Sequence, residues 1–287
     1  MGRAAQFLRT GRVAAWALLA LCFACRPDAP DALDIAVGER ALAEANALVA
    51  AHPERLAGEN SRAAAEWIAG RLAGRGAECV DFASPHGTLT NVFVPSPRPT
   101  VALLVSHYDT KAGVEGFVGA NDGASTVGLL IALAELADLP VALLFTDGEE
   151  CRTRYSGRDG LQGAWFAARG GHPVPKTLPV LVLDMLGERD WTPGLASNGS
   201  PRLNAAVRRA ARELGIALGD AGSMVDDHVP FVAEGWQAAD LIDFEFGPEN
   251  AWWHTAEDSP DKLSAESLAR AAALVRKIVN LLEKETL

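Results

Sequence analysis

Three uninterrupted apolar runs of strand length, each ending at a histidine or an acid, constrain this chain more than any other feature. Residues 101–106 (VALLVS) run into His107, 141–146 (VALLFT) into Asp147, and 180–183 (VLVL) into Asp184. A half-exposed strand alternates apolar and polar side chains, whereas a strand apolar at every position suits a sheet covered on both faces. The segments between and after these runs have helical spacing. Residues 122–136 carry Val127, Leu130, Ile131 and Ala134, and 264–285 carry Leu268, Ala272, Val275, Ile278, Val279 and Leu282 along one face. Residues 41–51, 62–72 and 201–214 read as further helices, and 91–94 and 239–244 as further strands. Strands alternating with helices predict an α/β fold: a single three-layer domain over 41–287, with a central mixed, largely parallel β-sheet flanked by helices.

Ahead of that domain, Arg3, Arg9 and Arg12 precede a short apolar run over 13–24, which reads with Cys25 as an export signal over 1–25. About a dozen apolar residues are too few for a stable membrane span, which needs roughly 20. The Ala24-Cys25 junction resembles a bacterial lipoprotein processing site with Cys25 as the acylated residue, although Cys22 stands where leucine is usual. Cleaved, lipidated at Cys25 or retained as an anchor, the segment leaves the domain outside the cytoplasm, periplasmic or extracellular. Residues 26–40, rich in Pro, Asp and Ala, read as a tether. Cys79 and Cys151 could form one disulfide or remain two buried thiols; spacing leaves both open.

Acids outnumber bases 37 to 26, for a net charge of −11, and the three N-terminal arginines leave the remainder more acidic still. Phosphate recognition needs clustered Lys and Arg, so nucleic acid is excluded as a partner, and a membrane enters only through the N-terminal anchor. Dinucleotide spacing and a Gly-x-Ser-x-Gly elbow are both missing, and Cys151 has no histidine beside it, which leaves it a packing thiol.

The chemistry lies in where the acids and histidines fall. His107 and Asp109 follow the first run; Asp147, Glu149 and Glu150 follow the second; Asp184 ends the third. Asp122 opens the helix expected over 122–136, and His254 sits before the last helix. Ligand sites in open α/β sheets gather beyond the carboxyl ends of strands, so these residues are expected in one crevice. Two histidines among carboxylates match zinc's mixed nitrogen and oxygen ligation. The adjacent Glu149 and Glu150 would repel unless one meets a cation and the other holds or hands on a proton. His52, His86 and His172 read as surface-loop residues. His228 reads as support for the site, with Asp226 or Asp227 as its hydrogen-bond partner.

In this order, Ser106-His107-Tyr108-Asp109, Gly119-Ala120-Asn121-Asp122, Asp147-Gly148-Glu149-Glu150, Asp184, Asp226-Asp227-His228-Val229-Pro230-Phe231 and Trp253-His254-Thr255 resemble the animal-type glutaminyl-peptide cyclotransferases. Those enzymes share a zinc-exopeptidase fold with bacterial zinc aminopeptidases, and the likeness spans about 41–287. The stretch 155–163 (YSGRDGLQG), the paired Asp226-Asp227 and Trp253 beside His254 lean toward the cyclase. Tyr155 stands where the animal enzymes usually have Trp, and Asp243 or its neighbours stand where they have His.

The resemblance implies one zinc held by Asp122, Glu150 and His254, with Glu149, Asp184 and Asp226 as catalytic acids and bases. Tyr155, Phe231 and Trp253 would form the substrate pocket. The substrate would be a peptide with a free N-terminal glutamine, converted to pyroglutamate with release of ammonia. The alternative is a two-zinc aminopeptidase, in which His107 and Asp184 hold the second zinc and Asp122 bridges. A third is a peptide-binding homologue without catalysis. The sequence carries no signal of oligomeric state.

Overall fold

The computed structural model describes residues 30–285. The export signal over 1–25, with its acylation site at Cys25, lies outside the described residues, as do the first residues of the expected tether. The described chain begins at helix α1 (Ala32–Ala51), closed at its N-terminus by a reciprocal capping box. Asp31 accepts from the Asp34 amide at 2.8 Å, and Asp34 accepts from the Asp31 amide at 3.0 Å. Residues 32–40 therefore belong to a helix, which corrects the tether expected over 26–40. Val37, fully buried, ties that turn to the core.

Beyond α1 come α2 (Ser61–Arg71), β1 (Glu78–Ser84), β2 (Gly87–Val94), β3 (Ala102–His107), α3 (Thr126–Leu136), β4 (Val141–Thr146) and α4 (Gln162–Phe166). There follow β5 (Val180–Asp184), β6 (Gly194–Ala196), α5 (Pro201–Glu213), β7 (Gly219–Gly222), α6 (His228–Ala233), β8 (Ala238–Ile242) and α7 (Ala265–Glu285). The strands form one mixed sheet in the order β1-β2-β4-β3-β5-β8-β6-β7. Its centre, β4-β3-β5-β8, is parallel, while β1 and β2 join antiparallel on one side and β6 runs antiparallel to β8 on the other.

The unbroken apolar runs are accounted for by burial on both sheet faces. In β3, Leu104 faces the layer built from α1, α3, α5 and α7, whereas Leu103 and Val105 face the layer of α4 and α6. Leu143 and Phe145 in β4 divide from Ala142 and Leu144 in the same way, as do Leu181 and Leu183 in β5 from Val180 and Val182. The three-layer α/β architecture expected from the sequence is thus the one observed. Helices α1 and α3 approach closely at Gly128, where a Cβ would lie 2.3 Å from the Ala41 carbonyl oxygen. Among the described residues, no helix is long and apolar enough to cross a membrane.

His172, expected on a surface loop, is buried. It stacks on Phe93 at 5.4 Å between ring centres and meets the edge of Phe166 at 5.4 Å. The Asn91 amide donates to its Nε2 at 3.1 Å, a role only a neutral ring can accept. Burial holds its pKa at about 4, below the ordinary 6.5. Between those values the unfolded chain binds the extra proton. The stabilisation is therefore complete above about pH 6.5 and is lost as the pH falls toward about 4. Up to about 3 kcal/mol of acid sensitivity is expected from this group. Urea titrations across that window should show a shallower pH slope for His172→Phe than for the parent; equal slopes would refute the assignment.

Candidate active site

The parallel centre of the sheet sets the site. In register, His107 pairs with Thr146 and Asp184 with Ile242, so β3, β4, β5 and β8 end at one level. The residues leaving those ends converge. His107 Nε2 lies 3.1 Å from Asp122 Oδ1 and 3.3 Å from Asp184 Oδ1. His254 Nε2 lies 2.9 Å from Glu150 Oε1 and 3.3 Å from Asp122 Oδ2. Asp122 is shared by the two groups. All of these side chains are buried except His254, which is half-buried.

Asp122 does not open α3 as the sequence suggested. The α-helix starts at Thr126, and Ala120–Ser125 is an irregular turn in which Asp122 has φ −79° and ψ 92°. Its carboxylate is therefore aimed by the turn rather than by a helix end. What holds the turn is Asp258, whose carboxylate accepts from the Asn121 amide at 2.7 Å and the Asp122 amide at 3.1 Å. Asp109 does the same for the two glutamates, accepting from the Glu149 and Glu150 amides at 3.1 Å each. Asp109 was visible as an acid at a strand end. Asp258, four residues after His254, carried no signal beyond being an acid near that histidine.

The donor set fits a metal ion. His107, Asp122 and Asp184 form one group, and Asp122, Glu150 and His254 another, each with its ligand atoms within 4.8 Å of one another. One imidazole N–H cannot point at two carboxylate oxygens at once. Buried Asp122 Oδ2 and Asp184 Oδ1 have no hydrogen-bond partner in a well-aligned geometry. Converging negative oxygens left in this state are resolved by a cation, and mixed N and O donors suit zinc. His254 is held at a positive φ of 52°, and Met185, next to Asp184, at 54°. Strained backbone of this kind clusters at sites where the surrounding structure over-determines it. Trp253 stacks on the His254 ring at 4.0 Å, and Phe117 meets its edge.

The two glutamates differ in surroundings. Glu150 Oε2 has the Lys111 ammonium at 3.2 Å, while Glu149 Oε1 has the Tyr155 hydroxyl at 3.1 Å. Burial, and after it the Glu150 charge, push the Glu149 carboxyl well above the ordinary carboxylate range. Such a group can hold a proton near neutrality, as a general acid–base requires. Glu149, Asp184, Asp226, Tyr155 and Trp253 line one pocket with Asp122, Glu150 and His254. Met185, Met224, Val225, Ile242 and Phe244 complete its apolar wall, none of them singled out by the sequence. Phe244 meets Trp253 at 5.0 Å.

Phe231, expected in the pocket, is not there. It is fully buried in the core layer of α4 and α6, edge-on to Trp236 at 5.4 Å, packed with Phe93, Leu103 and Leu144. It follows His228 by three residues in α6 and packs into that layer. His228 itself is buried, and the carboxylate nearest its Nδ1 is Asp240 at 3.5 Å, rather than Asp226 or Asp227. Asp227 instead accepts from the Thr146 hydroxyl, and burial followed by the Asp226 charge raises its pKa to about 8. Asp240, in the buried strand β8, was missed, although an acid amid apolar strand residues is a signal in itself. Asp243 accepts from the Thr192 amide at 2.8 Å and its hydroxyl at 3.0 Å, outside the pocket. Cys79 and Cys151 are both free thiols, and Cys151 lies 3.2 Å from Lys111 Nζ. His86, half-buried, lies 3.2 Å from Asp159.

Comparison with known proteins places this geometry in company. Residues 91–279 match the model of peptidase family M28. The chain is 28% identical over 213 residues to the glutaminyl-peptide cyclotransferase-like protein of Bos taurus, covering 60% of this chain and 55% of that protein. It thus spans little more than half the length of that curated relative. The structure resembles that of an Acidobacteriales bacterium glutaminyl cyclase, with a TM-score of 0.76 and 30% identity over 86% of this chain and 94% of that one. A Zn-dependent exopeptidase from Parabacteroides distasonis shares the fold, with a TM-score of 0.71 and 22% identity over 86% of this chain and 98% of that one.

Proposed function

The chain belongs to peptidase family M28, and from that premise we propose that it is a zinc-dependent glutaminyl-peptide cyclotransferase. It would convert an N-terminal glutamine to pyroglutamate with release of ammonia. The observation that carries this reading is the 30% identity across nearly the whole of a bacterial glutaminyl cyclase. A pocket in which Tyr155, Phe244 and Trp253 stand around Glu149 supports it.

We assign a single zinc to Asp122, Glu150 and His254, where it would polarise the substrate's γ-carbonyl as a Lewis acid. The aromatic walls hold the glutamine side chain folded back, so that its own α-amine lies against the amide carbon. Ring closure is intramolecular, and a pocket that fixes this geometry gains much of its rate from orientation. Glu149 takes a proton from the α-amine as the new C–N bond forms. It returns that proton to the amide nitrogen as the old C–N bond breaks, so ammonia leaves neutral. Asp184 and Asp226, which also line the pocket, would stabilise the transferred proton. The export signal over 1–25 would place this activity outside the cytoplasm, on peptides with free N-termini.

A second reading is favoured by one specific observation, the His107-Asp122-Asp184 group, which could hold another metal ion and serve a two-zinc aminopeptidase. Mass spectrometry of the zinc-loaded protein with a Gln-initiated and a Leu-initiated peptide separates the two. The expected result is loss of ammonia from the Gln peptide with the chain length kept. Release of free leucine, with two zinc ions per chain, would overturn the cyclase assignment in favour of the second.

A further inference from the structure

Glu149 and Glu150 are neighbours in sequence and both are buried, yet they are given different partners. Lys111 stands at Glu150, and the hydrogen bonds that reach the Glu149 carboxylate come from Tyr155 Oη, at 3.1 Å to Oε1 and 3.5 Å to Oε2. A hydroxyl donor at hydrogen-bond distance fixes the orientation of the carboxylate it meets.

Tyr155 is itself fixed with unusual care for a loop residue. The loop leaves and returns at one point, where the Leu161 amide donates to the Glu149 carbonyl at 2.9 Å. Within it, the Asp159 carboxylate accepts from the amides of Arg152, Thr153 and Arg154 at 2.7, 2.9 and 3.2 Å. Gly160 lies against the tyrosine ring: a Cβ there would come within 2.4 Å of Cδ1 and 2.8 Å of Cε1, at a φ of +80° that L side chains rarely adopt. The Lys111 ammonium is 5.7 Å from the centre of the same ring.

We propose that Tyr155 is a positioning residue whose hydroxyl holds the Glu149 carboxylate in the orientation needed for proton transfer, and that Gly160 is the residue that lets its ring lie there. The ring encloses the substrate; the hydroxyl acts through Glu149. This inference rests on the reading of Glu149 as the proton-transferring group, but it is the same for cyclisation and for hydrolysis.

The experiment compares Tyr155→Phe and Gly160→Ala with the parent enzyme. It measures kcat and KM on a Gln-initiated peptide, zinc affinity by competition with a chromophoric chelator, and thermal melting. Tyr155→Phe keeps the ring and removes only the oxygen. It is expected to lower kcat about 10- to 100-fold, the size of losing a hydrogen bond to a charged group, with KM and zinc affinity within about twofold of the parent. Gly160→Ala should lower kcat in the same direction through displacement of the ring. A Tyr155→Phe enzyme with kcat within about twofold of the parent would overturn the proposal, as would a loss of zinc affinity that parallels the loss of turnover. A parent enzyme that turns over neither a Gln- nor a Leu-initiated peptide would instead overturn the reading of Glu149, and this inference with it.

Discussion

Glu149→Gln is expected to lower pyroglutamate formation about a thousand-fold, in the middle of the range that removing a positioned general acid–base costs, while zinc content stays that of the parent. The substitution is nearly isosteric. The glutamine carbonyl can still accept from Tyr155 Oη, and the backbone amide at 149 still donates to Asp109. What the proposed mechanism would lose is the ability to carry a proton from the substrate amine to the leaving nitrogen. The fold should not suffer, because the charge removed is buried and repelled by Glu150. The melting temperature is therefore expected to hold or rise. Turnover and zinc content measured on the same preparation decide the matter. Retention of more than about a tenth of the parent rate would remove Glu149 from the role assigned to it.

Asp122→Ala carries the other large effect, because Asp122 is the one side chain common to both donor groups. Losing an outer-shell partner typically weakens a metal site about 10- to 100-fold, and losing a ligand shared by both groups should exceed that. Zinc bound at about a thousand times its dissociation constant stabilises a folded chain by about 4 kcal/mol, worth roughly 10 °C in melting temperature at this size. The parent is expected to show such a rise when zinc is restored after chelation, with activity returning alongside it. Asp122→Ala should show neither the rise nor the activity. A variant that still melts higher on adding zinc would mean that the ion is held elsewhere, and the assignment of Asp122, Glu150 and His254 would fail.

The individual elements show why some of this was legible in the sequence. Residues 101–106, 141–146 and 180–183 announced themselves because burial on both sheet faces demands apolar side chains at every position. Their ends were equally plain, since a histidine or acid directly after such a run marks where the chain leaves the core. Segments without such a demand were silent. β7 is the four residues Gly219–Gly222, in which no side-chain pattern distinguishes a strand from a turn. The helix expected from Asp122 failed for a related reason: the first four residues of the segment read as helix form an irregular turn, in which the Asp122 amide donates to a carboxylate 136 residues further along the chain.

The sequence by itself determined the layer order, the parallel centre and the row of acids and histidines at its carboxyl edge, because each follows from local burial and from chain direction. The tertiary structure alone decided which of those groups meet. Phe231 was packed into the core from α6, and Phe244 was brought to the pocket from the end of β8. Asp258 was set behind Asp122, Asp240 beside His228, and Tyr155 against Glu149. These pairings depend on how a helix is rotated or a loop is folded back. That is settled by packing among residues distant in the chain, and no local pattern of apolar and polar residues encodes it.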